Sequence, residues 1–163
     1  MTPPTAPKIL VLGLGNRILC DDAIGLMVAD RLGELLEGRA DVLATEEAGL
    51  ALLDLIVGYD RLLIVDAILR GNPPGTLLEF DLASLEWANT ANPHATGIPE
   101  VLALGRSLGQ KMPTSVLVLA IEVAEPYTIR EGLTPALASA LPAAVERALK
   151  LVDAWSASGP RAS

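Results

Sequence analysis

Continuous apolar runs, broken by glycines and acids, alternate along this chain with stretches of helical spacing. Residues 8–14 are apolar after Lys8 except at Gly13, and a second glycine follows at Gly15, which predicts a central strand buried on both faces. From Asp22 the spacing changes. Ile24, Val28, Leu32 and Leu35 recur at helical intervals, with Asp21 or Asp22 as N-cap and Gly38 as stop. Residues 61–68 repeat the buried strand and set an acid, Asp66, among apolar neighbours near its carboxyl end.

Shorter apolar segments predict further strands at 42–44 and 115–121, a short helix at 50–57 and a helix at 98–108. After the turn residues 71–75, a strand at 76–80 is expected to return beside its predecessor 61–68 and make the sheet mixed. Thr134-Pro135 opens the last helix, with Thr as N-cap and Pro at the first helical position. Leu137, Leu141, Val145, Ala148 and Val152 share one face of it, and Pro142 predicts a break into two pieces. Residues 84–97 have no periodicity and read as a loop over the site, carrying His94. Strands alternating with helices give the fold class: an α/β three-layer sandwich, with a roughly five-stranded, twisted, mixed but mostly parallel sheet and helices on both faces. One domain is expected over 1–163, with 1–7 and 156–163 as flexible ends.

Composition narrows the function. A chain of 163 residues that is 51% hydrophobic and 20% charged is expected to fold around a real core without disulfides. No apolar stretch reaches the roughly 18 residues of a membrane span, and no basic segment leads into an apolar one at the start, so a cytoplasmic protein with no membrane partner is expected. The single Cys20 agrees with a reducing compartment. A net charge of −8 argues against nucleic acid, because phosphate binding needs a basic surface. Oligomeric state is not fixed by sequence; a monomer is the working expectation.

Three groups carry candidate chemistry. Asp21 and Asp22 follow a strand that ends in glycines, so both are expected in the crevice at the carboxyl edge of the sheet. Helix capping explains one of them and leaves the other. Asp66 finishes a buried strand and must be paired, hydrogen-bonded or metal-bound. With His94, the only histidine, Asp22 and Asp66 would supply two oxygen ligands and one imidazole to a divalent ion, or one carboxylate would act as base toward water without a metal. The competing readings are weaker. A dinucleotide loop wants a third glycine where Ile18 stands, although Glu46 or Glu47 resembles a ribose-binding acid. A Cys20/His94 nucleophile would sit beside two carboxylates that oppose a thiolate. Glu122, Glu125 and Pro126 mark another edge loop and are left outside the chemistry.

Taken in order, these residues resemble the [NiFe]-hydrogenase maturation endopeptidases. The likeness rests on Leu12-Gly13-Leu14-Gly15-Asn16 through Asp21-Asp22-x-x-Gly25, on Val65-Asp66-Ala67, on Pro93-His94, and on Glu125-Pro126 followed by Gly132-Leu133-Thr134-Pro135. One departure is visible: Glu46-Glu47-Ala48-Gly49 stands where many members have a Gly-Thr-x-Gly-like stretch, which bears on the choice of substrate. The resemblance implies an aspartic-type peptidase that removes a C-terminal extension from the hydrogenase large-subunit precursor after nickel insertion. It implies Asp22, Asp66 and His94 as metal-binding residues, Asp22 and Asp66 as catalytic, and nickel as an ion brought by the substrate. The alternative is a non-catalytic, nickel-sensing assembly factor for the same subunit.

Overall fold

The computed structural model describes residues 5–82 and 97–158. Five strands, β1 (Ile9–Leu14), β2 (Asp41–Thr45), β3 (Arg61–Ile68), β4 (Leu77–Asp81) and β5 (Ser115–Glu122), form one sheet in the order β2-β1-β3-β5-β4. β2, β1, β3 and β5 run parallel, and β4 is antiparallel to β5. Every residue of β1 and β3 is buried, as their unbroken apolar runs require.

The expected return of the 76–80 strand beside 61–68 is not what the chain does. β5 occupies that flank of β3 over eight residue pairs, from Arg61↔Ser115 to Ile68↔Glu122. The chain from β3 therefore crosses the end of β5 before turning back. Gly75 N–H donates to the Glu122 carbonyl at 2.8 Å and Glu122 N–H to the Thr76 carbonyl at 2.9 Å, which starts β4 on the outer side of β5.

Alternation along the strands divides the core in two. Val11, Leu63, Val65, Leu119 and Ile121 face α1 (Ile24–Leu35) and α4 (Pro135–Ala157). Leu10, Leu12, Leu62, Ile64 and Val118 face the opposite layer, formed by α3 (Ile98–Ser107) and the short 3-10 and α turns Gly49–Leu52 and Leu53–Ile56, the latter α2. Each fully buried aliphatic side chain contributes roughly 1.5–3 kcal/mol.

Two helix expectations need correction. Leu35 is 51% exposed, and the buried stripe continues instead by steps of four through Ile24, Val28, Leu32 and Leu36. Pro142 does not divide α4, which runs unbroken from Pro135 to Ala157. Pro142 and Ala138, the residue whose carbonyl loses its partner, both lie on the exposed side, so water can take the lost bond. Leu141, Ala144 and Val145 beside the proline stay buried, which holds the helix together. The chain is not loose from 156 as expected: Ser156 and Ala157 are helical, and the buried Arg61 guanidinium donates to the Trp155 carbonyl at 2.9 Å and to Ser158 Oγ at 3.0 Å, while residues 159–163 lie outside the described residues. A cation at the carboxyl end of a helix interacts favourably with its dipole. Among the described residues no helix is long and apolar enough to cross a membrane.

At the amino edge of the sheet, Asp60 joins three segments. It accepts from Lys8 N–H at 2.6 Å and pairs with Lys111 Nζ at 2.8 Å. The Lys111 hydrogen bond, reinforced by the Lys8 amide, holds its carboxyl below the ordinary carboxylate range. A carboxyl lowered in the folded state stabilises fully above its unfolded value and loses that contribution as pH falls through the folded one. Asp60→Asn is therefore expected to lower the thermal midpoint near neutral pH, by no more than about 1 kcal/mol in stability because the pair is exposed, and to have no effect in strong acid. Melting curves of both proteins across acid pH check this.

Candidate active site

The carboxyl edge of the sheet is built by close backbone packing. A Cβ on Gly13 would lie 2.3 Å from the Gly25 carbonyl oxygen, and one on Gly15 would lie 2.1 Å from that of Asp22. A Cβ on Gly25 would meet the carbonyl oxygens of Leu14 and Val65 at 2.3 and 2.4 Å. These glycines therefore let α1 begin directly on the ends of β1 and β3. The room they leave is taken by the chain itself, so the dinucleotide reading has no open glycine cradle to rest on.

Between β1 and α1 lies a 3-10 turn, Cys20–Ala23, which rests against β3. Asp22 is in this turn, buried to 7% exposure. Asp66 is fully buried near the carboxyl end of β3, paired in register with Ala120, and its Oδ1 accepts the Ala67 N–H at 2.8 Å. By alternation it shares the face of Ile64 and Ile68. The structure thus brings the turn bearing Asp22 to the end of the strand bearing Asp66. His94 lies outside the described residues. Among the described residues alone, no group of three or more His, Cys, Asp or Glu is arranged to hold a metal ion.

Asp21 departs from expectation. It neither faces the crevice nor caps α1, whose N-cap is Ala23 with no side-chain bond. Its carboxylate is fully buried and turned toward the β5–α4 connection. Oδ1 accepts Thr134 N–H at 2.8 Å, and Oδ2 accepts the N–H groups of Ala124 at 3.1 Å and Glu125 at 3.0 Å. The Thr134 hydroxyl stands 2.9 Å from both oxygens. Thr134 occupies the predicted N-cap position of α4, yet its hydroxyl serves Asp21 rather than the helix. The backbone adds to the join: Cys20 N–H donates to the Arg130 carbonyl at 2.8 Å and Arg130 N–H to the Ile18 carbonyl at 2.9 Å.

Other candidate groups are accounted for structurally. Cys20 is fully buried behind this join, with Arg130 Nη2 at 3.2 Å from its sulfur, a poor position for a nucleophile. Glu122 is also fully buried, and its Oε1 accepts the N–H groups of Arg70, Gly71 and Asn72 at 2.7, 2.7 and 3.1 Å. It closes the turn after β3. Glu125 accepts from the Thr128 hydroxyl at 2.7 Å. Arg17, the cation next to the Asp22 turn, forks onto Asp30 at 2.9 and 3.2 Å, and that hydrogen bond raises its pKa above the ordinary value. Its own N–H donates to Glu46 at 2.9 Å, which ties the departing Glu46-Glu47-Ala48 segment to the same edge.

Apolar side chains stand exposed on the loops that leave the carboxyl ends of the strands: Ile18 after β1, Leu50 after β2, Leu69 after β3, and Tyr127 and Ile129 after β5. Tyr127 and Ile129 are 72% and 79% exposed.

Known proteins agree with this architecture. The family description HycI, hydrogenase maturation protease, matches residues 29–151. The hydrogenase 2 maturation protease of Escherichia coli strain K12 is 34% identical over 149 residues, covering 87% of this chain and 88% of that one. Among solved structures, the hydrogenase maturating endopeptidase HybD from E. coli has a TM-score of 0.73 at 30% identity, over 90% of this chain and 93% of its own. The [NiFe] hydrogenase maturation protease HybD from Thermococcus kodakarensis has a TM-score of 0.70 at 27% identity, over 89% of this chain and 99% of its own. With the family matched over most of its length and the sheet and its helical layers shared with these endopeptidases, this chain belongs to the hydrogenase maturation protease family.

Proposed function

We propose that this protein removes a C-terminal extension from the precursor of a [NiFe]-hydrogenase large subunit once nickel has been inserted. The observation that carries the reading is the meeting of the Asp22 turn with the end of β3 that holds Asp66. Two carboxylates and the His94 imidazole are oxygen and nitrogen donors with no thiolate among them. Such a set is suited to completing the shell of nickel already held by substrate thiolates, rather than to caging an ion of its own. The metal then belongs to the substrate and anchors the scissile bond at the acids, which converts recognition into orientation.

Hydrolysis needs one carboxylate to take a proton from water as the water oxygen bonds to the peptide carbon, and a proton to reach the leaving nitrogen as the C–N bond breaks. Asp22 and Asp66 are assigned to that proton transfer, in keeping with an aspartic-type peptidase that has no symmetric dyad. The lone cysteine fits a cytoplasmic site of action, and a single chain carries all three residues of the proposed centre.

Intact-mass analysis of a large-subunit precursor, nickel-loaded or nickel-free, tests the reading after incubation with this protein. Loss of one defined C-terminal peptide only from the nickel-loaded form is expected. Nickel-dependent association with an unchanged mass would overturn catalysis in favour of an assembly factor.

A further inference from the structure

We propose that Asp21 is a positioning residue for cleavage, clamping the Asp22 turn to both ends of the β5–α4 connection; this rests on the proteolytic reading above. The clamp has three anchors. Ala124 and Glu125 amides hold it where the connection begins, and Thr134 holds it through amide and hydroxyl where the connection ends. The Asp21 amide returns a bond to the Glu125 carbonyl at 3.2 Å. On the other side the Asp22 carbonyl is wedged against Gly15, at 2.1 Å from the place where a Cβ would stand. Asp22 thus sits between a backbone stop and a buried, multiply bonded carboxylate one peptide unit away. The backbone that carries its side chain is held on both sides. Tyr127 and Ile129 lie in the chain between these anchors.

A buried carboxylate that only stabilises the fold is available for comparison in the same molecule. Glu122 is equally buried and accepts three backbone amides, but it holds the Arg70–Asn72 turn rather than the Asp22 turn. Loss of either acid leaves amides without a full acceptor and destabilises; only loss of Asp21 releases Asp22.

The experiment compares Asp21→Asn, Thr134→Val, Thr134→Ser and Glu122→Gln with the wild type in two readouts. One is the rate of processing of a nickel-loaded large-subunit precursor per folded molecule. The other is amide hydrogen exchange over residues 18–25. In Asp21→Asn, kcat is expected to fall about 10- to 100-fold, the loss associated with displacement of a reacting group by about 1 Å, with little change in KM. Thr134→Val should follow it in part, Thr134→Ser should restore the wild-type rate, and Glu122→Gln should process at that rate despite a lower melting point. Exchange over 18–25 should rise in Asp21→Asn and Thr134→Val alone. A wild-type kcat in Asp21→Asn would overturn the proposal, as would equal losses in Glu122→Gln. Should the wild-type protein fail to process any precursor, the proteolytic reading falls by itself. The exchange pattern then decides the clamp: unchanged exchange over 18–25 in Asp21→Asn contradicts it.

Discussion

Asp66→Asn is expected to lower processing by about 10²–10⁴-fold, the usual worth of a general acid or base, while the protein melts at the same temperature or higher. The substitution keeps the side chain's shape and an oxygen that can accept the Ala67 N–H, so the end of β3 keeps its geometry. What it removes is the capacity of a fully buried carboxyl group to take up and release a proton. Reactive groups are selected for activity rather than for stability, so replacing one by a residue of the same shape is often neutral or stabilising. A group whose removal leaves the fold as stable but abolishes turnover is there for chemistry. Calorimetry and intact-mass kinetics on the same preparation decide it. A collapse of the melting point together with activity would mark Asp66 as a structural acid.

The second large effect concerns a glycine. Gly25→Ala is expected to destabilise by more than about 3 kcal/mol, beyond the ordinary cost of overpacking, because the new methyl would meet two backbone carbonyls rather than a movable side chain. Both carbonyls, of Leu14 and Val65, belong to adjacent parallel strands that cannot recoil without breaking the sheet. The start of α1 must lift instead, carrying Asp22 away from β3. Gly33 in the same helix has nothing within 4 Å of a built Cβ, so Gly33→Ala should stabilise by roughly 0.5–1 kcal/mol. Urea unfolding of the two variants reads opposite signs from one helix. Similar stabilities for the two would contradict the close packing described here.

The strands were legible where burial is continuous. Residues 61–68 are β3 to the residue, and the 8–14 run is β1 with its first residue outside. Such runs announce themselves because both faces need apolar side chains. The place of β4 was not legible, since its apolar residues fit any neighbour. Competition for the flank of β3, won by the longer β5, is a property of the whole sheet. The placement of Asp22 after β1 and of Asp66 near the end of β3 was legible, because both follow from where the buried apolar runs stop. Asp21 could not be told from Asp22 in the same way. Two adjacent acids in a tight turn point apart, and only the third segment, from Ala124 to Thr134, determines which of them is consumed by backbone amides. Thr134 carried a legible helix-start signal, and its bond to Asp21 was hidden behind that local role.

The most direct test of the central claim is the intact mass of a nickel-loaded large-subunit precursor after incubation with the wild-type protein and with its Asp22→Ala, Asp66→Ala and His94→Ala variants, each shown to be folded. Release of one C-terminal peptide by the wild type and an unprocessed mass with each variant are expected. Full processing by all three variants would contradict the claim and move the chemistry away from the carboxyl edge.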